Sequence, residues 1–99
     1  MYTIKETESF SKWLIKLKDI QAKVSILRRI ERIRDGNFGE KKSLGKEVSE
    51  LKVPTGPGYR VYYTVQGDEI VILLVGGDKS TQSKDIDKAQ QMCKELTRD

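Results

Sequence analysis

Histidine is absent from this chain, and cysteine occurs only once, at Cys93. Zinc sites built from Cys and His are therefore excluded, and no disulfide can close within the chain. The commonest proton carrier near neutral pH is also missing, so acid and base steps would fall to Lys, Tyr, Glu, Asp or the substrate. We expect a cytoplasmic protein that uses no metal and no cofactor.

Long apolar runs are missing as well. No stretch reaches the roughly 18 apolar residues of a membrane-spanning helix. The chain begins MYTIKETESF, without the charged start and apolar stretch of a signal peptide. The sequence therefore predicts a protein that neither enters nor crosses a membrane.

Charge is abundant: 34% of the 99 residues are charged and 36% are hydrophobic. The hydrophobic share suffices for one small core, and the chain is too short for two, so we expect a single domain over residues 1–99. The 19 Lys and Arg exceed the 15 Asp and Glu and give a net charge of +4. A positive balance favours a polyanionic partner.

Two amphipathic helices are predicted after a short candidate edge strand at residues 2–5. The apolar residues of the first helix recur at the spacing of one helical face: Phe10, Trp13, Leu14 and Leu17. Asp19 is the candidate N-cap of the second helix, which ends at Gly36 and Asn37. Its predicted buried stripe comprises Ile20, Val24, Leu27, Ile30 and Ile33. The two helices are expected to pack as a hairpin.

Three strands and a closing helix are predicted beyond Phe38. The strands are expected at residues 48–53, 59–66 and 70–75, separated by Gly-containing turns, and should form an antiparallel meander. The third strand, IVILLV, is apolar throughout and is expected to be central. Ser80 or Ser83 is expected to cap the closing helix. The inner face of that helix is predicted to carry Ile86, Ala89, Cys93 and Leu96.

Polar side chains gather on one face of the predicted sheet. Side chains alternate along a strand, so Tyr59, Val61 and Tyr63 point into the core while Arg60 and Tyr62 point the other way. The turn after the third strand can bring further polar residues alongside. The set expected on this face is Glu50, Lys52, Arg60, Tyr62, Lys79 and Gln82.

Two interpretations of this face stay open from the pattern alone. An exposed tyrosine among cations suits RNA, because phosphates pair with Arg and Lys and an unstacked base needs a flat surface. Alternatively the cations are solvated, or pair across the strands with a Glu. The cations of the second helix are likewise either an exposed helix face or contacts to ribosomal RNA. They are Lys23, Arg28, Arg29, Arg32 and Arg34.

Several short strings then occur together and in order. They are Phe10-x-x-Trp13-Leu14, Leu17-Lys18-Asp19, Gly36-Asn37-Phe38-Gly39, Glu50-Leu51-Lys52, GPGYRVYY at 56–63, LLVGGDKSTQ at 73–82, Asp85-Ile86 and Ala89. With them the chain resembles, over nearly its whole length, the addiction-module killer proteins, a HigB-like branch of the RelE/ParE toxins. The resemblance implies an α+β, RelE-like fold, with an N-terminal helical hairpin and a C-terminal helix packed on a curved, mainly antiparallel sheet.

The resemblance also implies a function and partners. It implies a toxin of a type II toxin-antitoxin system that cuts mRNA on the ribosome without a metal and so inhibits translation. A cognate antitoxin, in this branch usually a helix-turn-helix DNA-binding protein, would neutralise it. Two alternatives stay open, because the ParE branch shares the fold but poisons DNA gyrase, and a decayed toxin would only bind its antitoxin.

Residue by residue, the resemblance assigns catalysis to Arg60, Lys52 and Lys79. A ribose 2′-hydroxyl would attack the adjacent phosphate, giving a cyclic phosphate and a free 5′-hydroxyl. Arg60 would stabilise the negative charge of that transition state. Lys52 and Lys79 are the candidate base and acid, and crowding by like charge would favour a neutral lysine by lowering its pKa.

Further residues are expected to assist in RNA binding or proton transfer, and the chain differs in one respect from some nucleases of the superfamily. Glu50 is an alternative base, Tyr62 and Gln82 are candidates for orienting the RNA base and sugar, and RNA contacts are also expected from Arg28 and Arg32. The chain has no His and no Tyr beyond Tyr63, unlike some nucleases of the superfamily, so the general acid stays unassigned. As an exposed strand residue, Arg60 should be replaceable by Ala at a stability cost within about 0.5 kcal/mol.

Overall fold

A computed structural model describes residues 1–96 of the chain. The elements are β1 (Thr3–Glu6), α1 (Glu8–Lys16), α2 (Ile20–Arg34), β2 (Lys42–Ser43), β3 (Ser49–Val53), β4 (Tyr59–Gln66), β5 (Ile70–Gly77), a 3-10 turn (Lys79–Thr81) and α3 (Gln82–Leu96). The predicted order of helices and strands is confirmed. The two-residue strand β2 was not predicted, and β5 continues to Gly77 instead of ending at Val75.

The five strands form one mixed sheet in the order β1-β5-β4-β3-β2. β1 pairs parallel with β5, and every other pairing is antiparallel. The predicted edge strand, the meander and the central place of IVILLV are therefore confirmed. A bulge interrupts the β4–β5 ladder, since Tyr62 lies opposite Val75 while Tyr63 lies opposite Leu73. Such a bulge adds a residue to one strand and increases its twist.

Helices cover the sheet on both faces, as the apolar strand IVILLV indicated. The face under α1 and α2, called the hairpin face, buries apolar and aromatic side chains such as Phe10, Ile26 and Leu51. The face under α3, called the α3 face, buries Val48 and Tyr62 against Ala89, Cys93 and neighbours. Because β4 and β5 are covered on both sides, both sets of alternating side chains are buried there.

α1 is attached to the sheet through its N-cap residue. The Thr7 side chain is the N-cap and accepts a hydrogen bond from the Phe10 backbone N–H. The same hydroxyl donates to the Leu74 carbonyl at 2.7 Å. One threonine thus caps the helix and ties it to β5, with Phe10 fully buried below.

The buried stripe of α2 differs in part from the predicted one. Asp19 is its N-cap as predicted, since the side chain accepts from the Ala22 N–H at 3.0 Å. The buried residues, however, are Ala22, Ile26, Ile30 and Ile33. Ile20, Val24 and Leu27 are 68%, 41% and 45% exposed, so this part of the prediction is wrong. Two apolar stripes lie side by side on α2, and tertiary packing selected the one that begins at the small Ala22.

α3 begins slightly later than Ser80 and without a serine cap. Asp78 caps the preceding 3-10 turn, and α3 follows from Gln82. Ala89 and Cys93 are buried as predicted, whereas Leu96 is 46% exposed and does not belong to the inner face. Among the described helices, none has the length and apolar character needed to cross a bilayer.

Candidate functional site

A polar cluster interrupts the apolar packing between α3 and the sheet. Glu50 of β3 and Arg60 of β4 are 6% and 7% exposed. In the strand register Glu50 lies opposite Tyr62, and Arg60 lies opposite Lys52 on one side and Gly77 on the other. The cluster therefore spans β3 and the first half of β4, beside the end of β5 that passes into the turn before α3.

The Glu50 carboxylate is the hub of this cluster. Its Oε1 lies 3.0 Å from Arg60 Nε, in an ion pair that is not aligned as a hydrogen bond. The same oxygen accepts hydrogen bonds from Gln82 Nε2 at 3.0 Å and from the Tyr62 hydroxyl at 3.5 Å. One carboxylate oxygen thus joins β3, β4 and α3, and the predicted approach of Gln82 to this face is confirmed.

The Arg60 guanidinium is held from two sides. Nε faces Glu50, and Nη1 donates to the Gly58 carbonyl at 2.8 Å. Gly58 has φ +79°, and a Cβ there would lie 3.4 Å from Nη1, so a larger residue would be both strained and crowded. Within residues 1–96, Nη2 has no hydrogen-bond partner. The guanidinium is thus held by contacts at two of its three nitrogens.

The expectation of an exposed Arg60, Glu50 and Tyr62 is wrong. Strand alternation placed them correctly on one face, but α3 covers that face, and Tyr62 is 0% exposed. A base cannot stack on Tyr62 in this arrangement. The interpretation in which the arginine pairs across the strands with a Glu is confirmed.

Burial changes what two of these residues do. Desolvation, together with the negative charges of Glu50 and Asp85, raises the pKa of Tyr62 far above its usual range, so its hydroxyl stays protonated and donates. Removing Arg60 would leave a buried, unpaired carboxylate at Glu50. Because Arg60 is buried, we expect that change to cost about 3–5 kcal/mol, in place of the loss within about 0.5 kcal/mol expected for an exposed strand residue.

Sequence reasoning missed Asp85 as a member of this region. Asp85 is 9% exposed and its Oδ2 accepts from Thr81 Oγ1 at 2.5 Å. A Cβ at Gly77 would overlap that carboxylate, so the glycine permits the close approach. Asp78 holds the turn between them by accepting from the Ser80 N–H and hydroxyl, and these hydrogen bonds lower its pKa. A glycine ending a strand, followed by Asp in the next helical turn, was the available signal.

The other predicted site residues are exposed cations. Lys52 extends from β3 opposite Arg60, and Lys79 follows two residues after Gly77, so both lie beside the cluster. Arg28 and Arg32 are exposed on α2, which packs on the hairpin face. The structure does not bring these two arginines into the Glu50–Arg60 cluster.

Comparison with known proteins gives a family and a relative. Residues 12–94 match the family described as "Phage derived protein Gp49-like". An uncharacterized protein of Haemophilus influenzae is 50% identical over 93 residues, which cover 94% of each chain.

Solved structures with the same fold come from Escherichia coli. A mutant of the toxin RelE in the free state is similar with a TM-score of 0.76 at 19% identity, covering 92% of this chain and 96% of that one. The RelBE toxin-antitoxin complex is similar with a TM-score of 0.62 at 20% identity, covering 79% and 96%. The RelE-like fold is thereby confirmed, while the HigB-like branch stays a prediction. The chain belongs to the phage-derived Gp49-like family and folds as RelE does.

Proposed function

We propose that this chain is the toxin of a type II toxin-antitoxin system and cuts mRNA on the ribosome without a metal ion. The observation that carries the proposal is the orientation of Arg60. A buried carboxylate and a backbone carbonyl hold its guanidinium, and Nη2 stays available beside two exposed lysines. Such an arrangement stabilises negative charge that develops on a phosphate, because the donor is already in place.

The proposed reaction is internal attack on the RNA backbone. A ribose 2′-oxygen forms a bond to the adjacent phosphorus as the bond to the 5′-oxygen breaks, leaving a 2′,3′-cyclic phosphate and a free 5′-hydroxyl. One group must take the 2′-hydroxyl proton, and another must protonate the leaving oxygen. Arg60 neutralises charge on the phosphate oxygens during this step.

The contacts favour a division of roles among the remaining residues. Oε1 of Glu50 already meets Arg60, Gln82 and Tyr62, so we assign Glu50 to positioning the guanidinium and not to proton transfer. Gln82 and Tyr62 act through Glu50 in the same way. Lys52 and Lys79 remain the side chains proposed to move protons, since they are exposed on either side of Arg60.

The proposed partners are the ribosome, mRNA and a cognate antitoxin. RelE is found with its antitoxin in the RelBE complex, which has the same toxin fold as this chain. By analogy we propose an antitoxin for this chain and, following the HigB-like resemblance, a helix-turn-helix DNA-binding protein encoded beside it.

The test must separate lost chemistry from lost folding. The wild-type chain and Glu50→Gln/Arg60→Met are induced in growing bacteria, and new mRNA 5′-hydroxyl ends and DNA breaks are mapped in the same cultures. The double variant keeps an acceptor at residue 50 and removes both buried charges, so it should fold. Lys12→Gln on α1 is the control, because Lys12 is exposed and, within residues 1–96, forms an ion pair with Glu8 alone.

Each outcome assigns the chain to one activity. Ends within translated codons, present with wild type and Lys12→Gln but absent with the double variant, support the proposal. Intact mRNA with broken DNA would make the chain a gyrase poison. Normal growth, with no cleavage of either nucleic acid, would leave only antitoxin binding.

A further inference from the structure

An apolar stripe is exposed along the outer side of α2, away from the sheet. It consists of Ile20, Val24 and Leu27, which are between 41% and 68% exposed. Their spacing of i, i+4 and i+7 puts them on one line along the helix. Three of the six large apolar side chains exposed within residues 1–96 lie on this stripe. Packing of the chain on itself therefore leaves a second apolar face of α2 open to solvent.

Cations border the apolar stripe on both sides. A helix turns by about 100° per residue. Lys23 and Arg34 therefore lie on one side of the stripe, and Arg28 and Arg32 lie on the other. Arg28 and Arg32 form no ion pair within residues 1–96, whereas Arg34 pairs with Glu31 at 3.4 Å. We call the stripe and its four cations the outer α2 face.

Part of the outer α2 face is shaped as an open depression of about 370 Å³. Val24 and Leu27 line this depression together with Arg28, Glu31 and Arg32. Aliphatic side chains at such a place receive an apolar side chain of a partner, and guanidinium groups beside them bind carboxylates. The depression therefore combines an apolar contact with positions for negative charge.

The composition of the outer α2 face favours an acidic protein helix over other occupants. An unstacked RNA base needs an aromatic ring or a guanidinium plane, and the stripe is aliphatic. A second copy of the chain would bring the same four cations together across a two-fold axis, where they would repel one another. A lipid bilayer would remove water from Glu31, which lies one helical turn beyond Leu27 on the same side. An amphipathic helix bordered by carboxylates covers the stripe and pairs with the cations.

We propose that the outer α2 face is the docking surface for an amphipathic, acidic helix of a partner protein. The apolar side chains of that helix cover the stripe, and its Asp and Glu residues pair with the cations on either side. This inference goes beyond the proposed function and does not depend on it. α2 packs on the hairpin face, whereas Arg60 belongs to the cluster beneath α3.

The test is binding of synthetic helical peptides to the full chain, measured by fluorescence anisotropy. The first labelled peptide has about 18 residues, because shorter helices are marginal in water, and carries Leu at i, i+4 and i+7 bordered by Glu. A second peptide has the same composition in an order that spreads Leu around the helix, and a third has Lys in place of Glu. We expect the first peptide alone to bind, with an affinity that falls as salt is raised.

Leu27→Gln and Leu96→Gln are a matched pair of variants that tests the apolar stripe. Both leucines lie on helices and are 45% and 46% exposed, but Leu96 ends α3 on the other side of the sheet. We expect Leu27→Gln to weaken binding of the first peptide about tenfold and Leu96→Gln to leave it unchanged. Thermal unfolding of both variants checks that each keeps its fold.

Two double variants test the charged border in the same way. Arg28→Gln/Arg32→Gln and Lys46→Gln/Lys84→Gln each lower the net charge from +4 to +2. All four side chains are exposed, but Lys46 and Lys84 lie beside α3. We expect the α2 variant to bind the first peptide about fivefold more weakly at low salt and with less dependence on salt, because its ion pairs with the peptide are lost. The variant beside α3 should change both properties much less.

Three results of the peptide measurements would overturn the outer α2 face as a docking surface for an acidic helix. The second peptide could bind as tightly as the first, Leu27→Gln could bind as wild type does, or the two leucine variants could lose affinity equally.

The other occupants are tested with the same leucine variants. Binding to phosphatidylserine vesicles and to a single-stranded RNA oligonucleotide is measured, and sedimentation gives the oligomeric state of the free chain. If the first peptide did not bind, and Leu27→Gln instead abolished vesicle binding, RNA binding or a dimer, the face would serve that occupant and the proposal would be wrong.

Discussion

The two faces of the sheet are packed in different ways. The hairpin face buries apolar and aromatic side chains against α1 and α2. The α3 face also buries apolar side chains, around Tyr62 and Cys93, but it contains the buried polar residues of the described chain as well. These are Glu50, Arg60, Thr64 and Asp85.

This difference indicates which face is specialised. In a buried ion pair, the attraction between the charges often fails to offset the free-energy cost of removing both from water. Replacing such pairs by apolar residues is therefore often neutral or stabilising. Stability alone therefore does not account for Glu50 and Arg60 beneath α3. The exposed Lys52 lies opposite Arg60, and the exposed Lys79 follows shortly after Gly77 at the end of β5. These neighbouring cations support a functional role for the α3 face.

The largest expected effect tests the ion pair itself. Arg60→Ala should lower the free energy of unfolding by about 3–5 kcal/mol, because Glu50 remains buried and unpaired. Glu50→Gln/Arg60→Met should recover most of this loss in urea unfolding. If the double variant were as unstable as Arg60→Ala, the ion pair would be required for folding. The α3 face would then be explained by stability, as the hairpin face is.

The hairpin face is tested by two adjacent residues of α2. Ile26→Ala should cost about 2–5 kcal/mol, because Ile26 is fully buried and its removal leaves a cavity. Leu27→Ala should change stability by no more than about 0.5 kcal/mol, because Leu27 is 45% exposed. The stability of both variants is measured by thermal unfolding. Equal losses of stability would contradict the buried stripe of the structure and favour the stripe predicted from the sequence, which includes Leu27.

Two neighbouring glycines test both faces at one point of β5. A Cβ at Gly76 would overlap the Trp13 ring on the hairpin face, whereas at Gly77 it would overlap the Asp85 carboxylate on the α3 face. Gly76→Ala should cost about 1–3 kcal/mol. Gly77→Ala should cost less, since the ends of the Asp85 and Thr81 side chains can move aside. Fluorescence of the single Trp13 should change in the Gly76 variant and not in the Gly77 variant.

The smallest expected effect concerns pH. Hydrogen bonds from Ser80 lower the pKa of Asp78, so the ionised carboxylate stabilises the fold above its unfolded pKa of about 3.8. This contribution is lost as pH falls through the lower, folded pKa. Asp78→Asn carries no charge at any pH, so it should lower the unfolding midpoint slightly at neutral pH, change it little below the folded pKa, and thereby reduce its acid dependence. An unchanged acid profile would contradict this role of the Asp78 cap.

Most predictions that depend on residues close together in the chain are confirmed, whereas several that depend on packing between distant segments are not. The Asp19 cap, the β3-β4-β5 meander and the shared face of Glu50, Arg60 and Tyr62 depend on neighbours in the chain or on strand alternation, and these predictions are confirmed. The choice between two apolar stripes on α2 depends on which stripe meets the sheet. Asp85 was overlooked because its approach to Gly77 exists only after α3 has packed.

The sequence by itself determined the three helices, the four longer strands, their order along the chain and which strand side chains share a face, because local hydrogen bonding and the two-residue strand period act over short distances. Tertiary structure alone decided that α3 covers Glu50 and Arg60 and that Ile20, Val24 and Leu27 stay exposed. Burial depends on segments far apart in the chain, such as Gln82 meeting Glu50. A pattern within one strand or helix therefore shows where a side chain points, but not what packs against it.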